Sequence, residues 1–587
     1  MKGSATSSLT VNSSSSSTIN FGTTATDSIL ANLTISGSGT ITIGSGVGIF
    51  TLLTVSSGSL NTGNHLTLKS TSIANTAVVG PVGGTVTGNV TVERFIPKGI
   101  KAYRSLVTGG VYNTGSVFNN WQESGVNTNG YGIFITGKGG LANGTDATTG
   151  FDISAAGNKS MFTYPTYMTY TPVSNTKTTN LDPYTGYLTV VYGNRVLPLI
   201  PGAVFDASPN MNAAATIRTT GSLLTGTVTY SNTGVSNSNF SSAVTKILPS
   251  HDTGSFIANP YACAIDWNTL AKTNLTTSYY YYEPTFLTGG YQAFVAYNSV
   301  SGTNSNPAKS KINRYIQPGQ GFWIQTNSTV TNTRQLVITE ANKVINQPFT
   351  AVFGAGAAGI NRLAMSLWKQ GENIDGAVAV FDNNFTSSID EEDTKKQFNN
   401  GENLYINHGM NTLSIDGLPN PAINDVINLE MSGLISGTVY EFHLDAQEFN
   451  SNGLTAYLRD AKENTETAIG TGSTAYSFTA TSSTENRYTV VFKASKPIVS
   501  NTAKPAIVSV YPNPVTYKVF SVQMNNIADG KYTVSVYNAM GQEVMSKEVN
   551  HLSGSIETMN TGNLAKGIYT VSVEGKGVKS ETKIVVE

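Results

Sequence analysis

The sequence predicts an elongated, all-β protein made of several domains. Three observations carry this prediction. The chain has 587 residues, enough for several folding units. Its apolar runs are short, rich in β-branched and aromatic residues, and alternate with Thr, Ser or charge, which is the period of a half-buried strand. Turn residues separate the runs, and glycine alone numbers 58.

Composition narrows the class further. Charged residues make up only 12% and hydrophobic residues 39%, with a net charge of −1. That balance excludes charge-driven disorder. It leaves no polyanion-binding footprint, so nucleic acid is not an expected partner. The one cysteine, Cys263, excludes an internal disulfide framework. Stability must come from core burial, sheet hydrogen bonds or metals. No apolar stretch is long enough to span a membrane. The opening MKGSATSSLTVNSSSSS lacks the apolar region of a secretory signal, so Met1 is expected to open a mature form or a fragment.

Residues 1–88 are weakly repetitive. LTISGSGTI (Leu33–Ile41) aligns with LTVSSGSLN (Leu53–Asn61) at an offset of 20 residues, matching Leu33 to Leu53 and Ile35 to Val55. Apolar–Thr/Ser alternation with glycine corners predicts either β-solenoid rungs or a run of hairpins. Residues 89–345 form a β-rich carrier region that opens with GNVTVERFIPKG (Gly88–Gly99). Two further blocks stand out within it, NPYACAIDW (Asn259–Trp267) and IQPGQGFWIQTN (Ile316–Asn327). Residues 346–494 alternate more regularly, as in RLAMSLWK (Arg362–Lys369), DGAVAVFD (Asp375–Asp382) and TVYEFHLD (Thr438–Asp445), and predict a β-sandwich. Within them SSIDEEDTKKQF (Ser387–Phe398) predicts a short helix: acids fill its first turn and lysines follow, which suits the helix dipole. Residues 495–505 contain two prolines and no alternation, and read as a linker. Residues 506–587 hold about seven short strands, with turns at Pro512-Asn513-Pro514, Asp529-Gly530, Gly541, Lys566-Gly567 and Gly575-Lys576-Gly577. That spacing predicts an immunoglobulin-like sandwich.

Candidate chemistry is sparse. GAGAAG (Gly354–Gly359) fits a dinucleotide-binding glycine pattern, but Leu363, Met365 and Leu367 follow at strand period, where that motif requires a helix. A glycine-rich turn is the better reading. Cys263 sits in a Tyr-Ala-Cys-Ala-Ile frame with no base beside it except His251, near in sequence only, and reads as a small buried residue. The histidines at 65, 251, 408, 443 and 551 are dispersed and give no zinc spacing. Asp390, Glu391, Glu392 and Asp393, with Asp382 upstream, could offer oxygens to calcium but lack EF-hand spacing; a solvated helix start is favoured. The run Tyr279–Tyr282 places tyrosines on both faces of a strand, either packed half in the core or exposed as a sugar-stacking platform. Asp27-Ser28-Ile29 resembles a short O-glycosylation acceptor of Bacteroidota, but an ordinary turn is the favoured reading. No nucleophile elbow, H-E-x-x-H pair or Walker loop occurs, while sequence spacing leaves paired acids for glycoside hydrolysis open. The chain therefore reads as non-enzymatic, with no catalytic residue, cofactor or metal ligand assigned.

The last segment carries a resemblance. YPNPV (Tyr511–Val515), VSVYNAMGQEV (Val534–Val544) and LAKGIYTVSV (Leu564–Val573), in that order, resemble the type A C-terminal sorting domains of the Bacteroidota type IX secretion system. The matching positions are Pro512, Asn513, Pro514, Tyr537, Gly541, Gly567 and Tyr569, with Lys583 near the end. Such domains often finish on a basic residue, whereas this chain finishes on Glu587. The resemblance implies an exported cargo, secreted or held at the cell surface after crossing the periplasm and outer membrane. It implies as partners the type IX translocon, its outer-membrane shuttle protein and a cell-surface sortase. The VERFIPKG, NPYACAIDW and PGQGFW blocks resemble a β-rich region upstream of such domains in large Bacteroidota surface proteins. The expected function is that of an adhesin or gliding-associated stalk. The alternatives are a glycan-binding or polysaccharide-degrading protein on the same export route, and a structural filament subunit that self-associates through strand edges. Gly567 is expected to need positive φ or close backbone approach.

Overall fold

The echo near the N-terminus is a stack of parallel rungs. In the computed structural model, strands Ser8–Val11, Ile29–Ile35, Val47–Val55 and Leu66–Leu68 pair side by side in parallel. A second parallel sheet runs through Ser17–Ile19, Thr40–Ile43, Ser59–Asn61 and Thr85–Thr87. Residues matched in sequence are neighbours in space. Leu9, Leu33 and Leu53 occupy one register row, and Val11, Ile35 and Val55 another. These ladders meet Ile41, Ile43 and Leu60 in one core. Glycine corners allow the close stacking: Gly58 has φ +65°, and a Cβ there would lie 2.2 Å from the Gly37 carbonyl oxygen. The segment is thus a β-solenoid, not a run of hairpins. Its last strand, Asn89–Ile96, lies parallel to Leu66–Leu68 on one side and antiparallel to Ala215–Leu223 on the other.

The structure describes all residues except 141–143, 167–168, 196–209, 248–253, 289–290, 328–332, 348–359, 451–452, 482–486, 496–506, 526, 553–554, 563 and 577. GAGAAG, His251 and nearly all of the expected linker lie outside the described residues. The chain forms two compact units, Met1–Ala494 and Ser495–Glu587.

In the first unit, a four-stranded sheet orders Gly254–Ala258, Gly321–Thr326, Leu275–Thr288 and Tyr291–Asn298. It is covered on both faces. Tyr279 and Tyr281 enter a core with Trp267 and Phe322, while Tyr280 and Tyr282 enter another with Phe256 and Trp323. All four tyrosines are buried, so the sugar-platform reading of Tyr279–Tyr282 is corrected to core packing on both sides. The VERFIPKG, NPYACAIDW and PGQGFW blocks converge here. Asn259 donates through Nδ2 to the carbonyls of Cys263 and Ile316 at 2.9 and 3.1 Å, and its backbone N–H donates to Gln320 O at 3.0 Å. Beyond Ile360, one continuous sheet wraps a main core that includes Leu363, Leu367, Ile406, Leu429, Phe442 and Tyr488, and a smaller cluster of Ala364, Val378, Val380 and Ile415 packs separately.

The helix expected over Ser387–Phe398 does not form. The segment is bends and turns with a two-residue strand, Thr394–Lys395. Its charges have tertiary partners that a solvated helix would forfeit. Lys396 Nζ lies 2.5 Å from Asp375 Oδ2, both buried, and Asp393 Oδ1 accepts from Gly417 N at 2.8 Å. Glu392 and Asp393 are buried, so the solvated-start reading fails as well.

The second unit is two sheets around one core. Its strands are β1 (Ile507–Tyr511), β2 (Val519–Asn525), β3 (Gly530–Tyr537), β4 (Glu543–His551), β5 (Ile556–Asn560), β6 (Gly567–Gly575) and β7 (Val578–Val586). The sheets run β1-β2-β5 and β4-β3-β6-β7, antiparallel throughout. Phe520, Val522 and Met559 from one sheet meet Val534, Val536, Val571, Val573 and Ile584 from the other. Two tyrosines tie strand starts to their own approach: Tyr532 Oη donates to Ala528 O, and Tyr569 Oη to Ala565 O, each at 2.8 Å. These are local contacts of the tyrosine-corner kind.

Candidate sorting-signal surface

The three motif blocks of the C-terminal unit, distant in sequence, meet at one end of the four-stranded sheet. β3 ends there at Tyr537, the Asn538–Gln542 turn with Gly541 follows, β6 begins at Gly567, and β7 finishes. Tyr537, Thr570 and Lys583 form one register row across β3, β6 and β7. Gly567 stands opposite Val586, which is also bridged in parallel by Val515.

The YPNP segment clamps the last strand. Asn513 Nδ2 donates to Lys583 O, and Val585 N donates to Asn513 Oδ1, both at 2.9 Å. The next residues continue as a short parallel pairing: Val515 N donates to Val585 O at 2.7 Å, and Glu587 N to Val515 O at 3.2 Å. The Asn513 amide thus serves as one more peptide group in the sheet. Pro512 and Pro514 are exposed beside it. No strand among the described residues pairs with the rest of the β7 edge, Val578–Thr582.

Gly541 is a turn glycine with φ +77°, exposed, in a turn closed by Asn538 N donating to Gln542 O at 3.0 Å. Tyr569 is buried. Tyr537 and Lys583 face outward from the sheet. Gly567 departs from expectation: its φ is not positive, and a Cβ there would meet only Tyr569 Cε2 at 3.9 Å, an ordinary contact. It is a strand residue with room for a side chain. Sequence reasoning missed the apolar residues exposed at this end. Met540, Val544, Ile568 and Val585 are solvent-facing, and Ile568 and Val585 are direct cross-strand partners. For Val544, Ile568 and Val585 the signal was present in the sequence, as apolar residues on the polar phase of strands otherwise alternating in and out, whereas Met540 lies in the turn.

Residues 509–587 match the family model described as the secretion system C-terminal sorting domain. The C-terminal unit is a type IX secretion sorting domain. The chain that carries it is secretion cargo, exported to the cell surface or beyond and recognised by the type IX machinery. No curated protein matches the chain. Among solved structures, one described as "Biofilm associated protein - BSP domain" shares 10% identity, with 54% of this chain and 83% of that chain covered at a TM-score of 0.12. A score that low carries no argument about fold or function.

Elsewhere, the other candidate residues are structural. Cys263 is fully buried, its thiol is pushed up to about 11 by burial, and Sγ donates to Val344 O at 3.6 Å. Among the described residues no three His, Cys, Asp or Glu side chains are placed to hold a metal ion. His408 pairs with Asp416, His443 with Glu441 and His551 with Ser555. Asp27 belongs to a turn, its carboxyl lowered by the Thr24 hydroxyl and by Lys2. Among the described residues no helix is long and apolar enough to cross a membrane.

Proposed function

We propose that residues 1–494 are a non-enzymatic, surface-displayed stalk with an adhesive or gliding-associated role, delivered by the sorting domain. In this reading the outer-membrane shuttle and translocon engage the end of the sandwich where YPNP, Gly541 and the β7 terminus meet, and a cell-surface sortase acts in the segment before it. One observation carries the reading: the sorting domain is a compact unit with its own core and its motif residues gathered at one end. A cargo-independent signal requires that arrangement. The solenoid supports the stalk assignment, because stacked rungs extend a continuous core along one axis and so project what they carry.

The glycan-binding alternative gains no support from Tyr279–Tyr282, whose rings are spent on two cores. The test compares the native host with a deletion strain in attachment to abiotic and polysaccharide-coated surfaces, and assays the secreted chain against a panel of polysaccharides. Loss of attachment without hydrolysis is expected. Release of sugars by the purified chain would overturn the non-enzymatic reading.

A further inference from the structure

Two arginines in the first unit, Arg94 buried and Arg104 half-buried, line one cavity without a counter-ion. Arg94 lies in the strand Asn89–Ile96, and Arg104 in Ala102–Leu106. Both line a cavity of about 150 Å³. Arg94 is only 9% exposed. Its Nη1 donates to Glu93 O at 2.8 Å, but Nε and Nη2 meet no protein acceptor. The neighbouring carboxylate is unavailable: Glu93 points to the other face of the strand, where it accepts from Lys69 Nζ at 2.6 Å and Ser70 N at 3.1 Å. Arg104 Nη2 makes only long contacts, 3.5 Å to Ile100 O and 3.6 Å to the Met211 sulfur, and its Nε has no acceptor. Glu283, which interacts with Arg104 at longer range, is occupied by Ser310 and Thr285.

The position of Arg94 is built, not incidental. Its aliphatic stem runs between two glycines of positive φ, Gly109 and Gly319. A Cβ on Gly319 would lie 3.1 Å from Arg94 Cγ, and one on Gly109 would lie 3.8 Å from Nε. Two more unpartnered donors line the same cavity, Ser105 Oγ and Gln320 Nε2. Gln320 Oε1 is held by Gln317 N at 2.9 Å, which leaves the amide nitrogen free to donate. Gln317 Oε1, which also lines the cavity, is an acceptor without a partner among the described residues. The remaining wall is largely apolar, from Ile73, Ile96, Leu106, Ile217 and Pro318. Arginine stays cationic at neutral pH, even with burial lowering Arg94 to about 10. A buried, unpaired guanidinium is costly unless something neutralises it.

We propose that this cavity binds a small organic carboxylate with an apolar body. The guanidinium fork matches a carboxylate in two-point geometry, and Ser105 and Gln320 supply further donors. An apolar cavity of this size accommodates a benzene-sized body. Gln317 favours ligands that carry an added hydroxyl.

The test titrates the full chain with benzoate, benzyl alcohol and sulfate, by calorimetry and by thermal melting. Benzoate binds saturably, one to one, and raises the melting temperature; benzyl alcohol and sulfate bind at least tenfold more weakly. Arg94→Met weakens benzoate at least tenfold and raises the melting temperature of the unliganded chain, because it removes an uncompensated buried charge. Arg104→Met, at a partly exposed position, also weakens benzoate and provides the reading should Arg94→Met not fold. Absence of saturable benzoate binding overturns the proposal. So does equal binding of benzyl alcohol, preference for sulfate, or unchanged affinity in Arg104→Met.

Discussion

Replacing Asn513 by Ala removes the side-chain clamp on the last strand and leaves the rest of the sorting domain in place. Two hydrogen bonds are lost, to Lys583 O and from Val585 N, each 2.9 Å long. A neutral hydrogen bond contributes a net ~0.5–1.5 kcal/mol. Asn513 is exposed, so the freed groups are rehydrated and the sum falls to about 1–2 kcal/mol. For a domain of this size each kcal/mol moves the melting point by ~4–8 °C. The C-terminal transition of the full chain should therefore fall by roughly 4–16 °C. Hydrogen exchange gives the local reading: the Val585 amide, whose acceptor is Asn513 Oδ1, should lose protection. Asn513→Asp should keep that protection, because it retains the acceptor, and lose only the donor to Lys583 O. An Ala variant with an unshifted transition and unchanged exchange at Val585 would show that the clamp does not hold the strand.

Three further outcomes follow from packing and charge. Gly541→Ala should cost about 1 kcal/mol, since its φ is +77°, whereas Gly567→Val should be nearly neutral in a strand with room for it; melting of the two variants separates them. Lys396→Met should destabilise the first unit by ~3–5 kcal/mol in denaturant unfolding, because it strands the buried Asp375 carboxylate, while the double variant with Asp375→Leu recovers most of the loss. Asp393 is pushed up to about 7 by burial, helped by Asp390 and Asp416, from an ordinary 3.8. In that window the folded chain holds a proton that the unfolded chain has released. Stability thus falls as pH rises from about 4 to about 7, by on the order of 4 kcal/mol at most, and Asp393→Asn should flatten the decline in melts across pH.

Local rules made much of the fold legible. The match of Leu33 to Leu53 and Ile35 to Val55 is the register of the solenoid, because stacked rungs place equivalent residues in contact. The C-terminal strands were legible because most joints carry their own turn chemistry, as at Gly541. What the sequence withheld depends on distant partners. Alternation at Tyr279–Tyr282 reveals two faces but not that both are covered. The charges of Ser387–Phe398 suit a helix dipole, yet Asp375 and Gly417 claim them across the sheet. Lys566-Gly567 has the composition of a turn, but pairing with Val586 makes the glycine a strand residue. The Asn513 clamp joins positions some 70 residues apart, and no local pattern encodes it. The Arg94 cavity is invisible for the same reason, since the alternation that turns Glu93 toward Lys69 says nothing of what faces Arg94.

The central claim is that export information resides wholly in the C-terminal unit. The direct measurement fractionates host cells carrying two proteins. One is the native precursor truncated after Ala494; the other is an unrelated protein with its own signal peptide, fused to residues 495–587. The truncated chain should accumulate folded in the periplasm, and the fusion should reach the cell surface or the medium. A truncated chain that still arrives outside, or a fusion that stays in the periplasm, would contradict the claim.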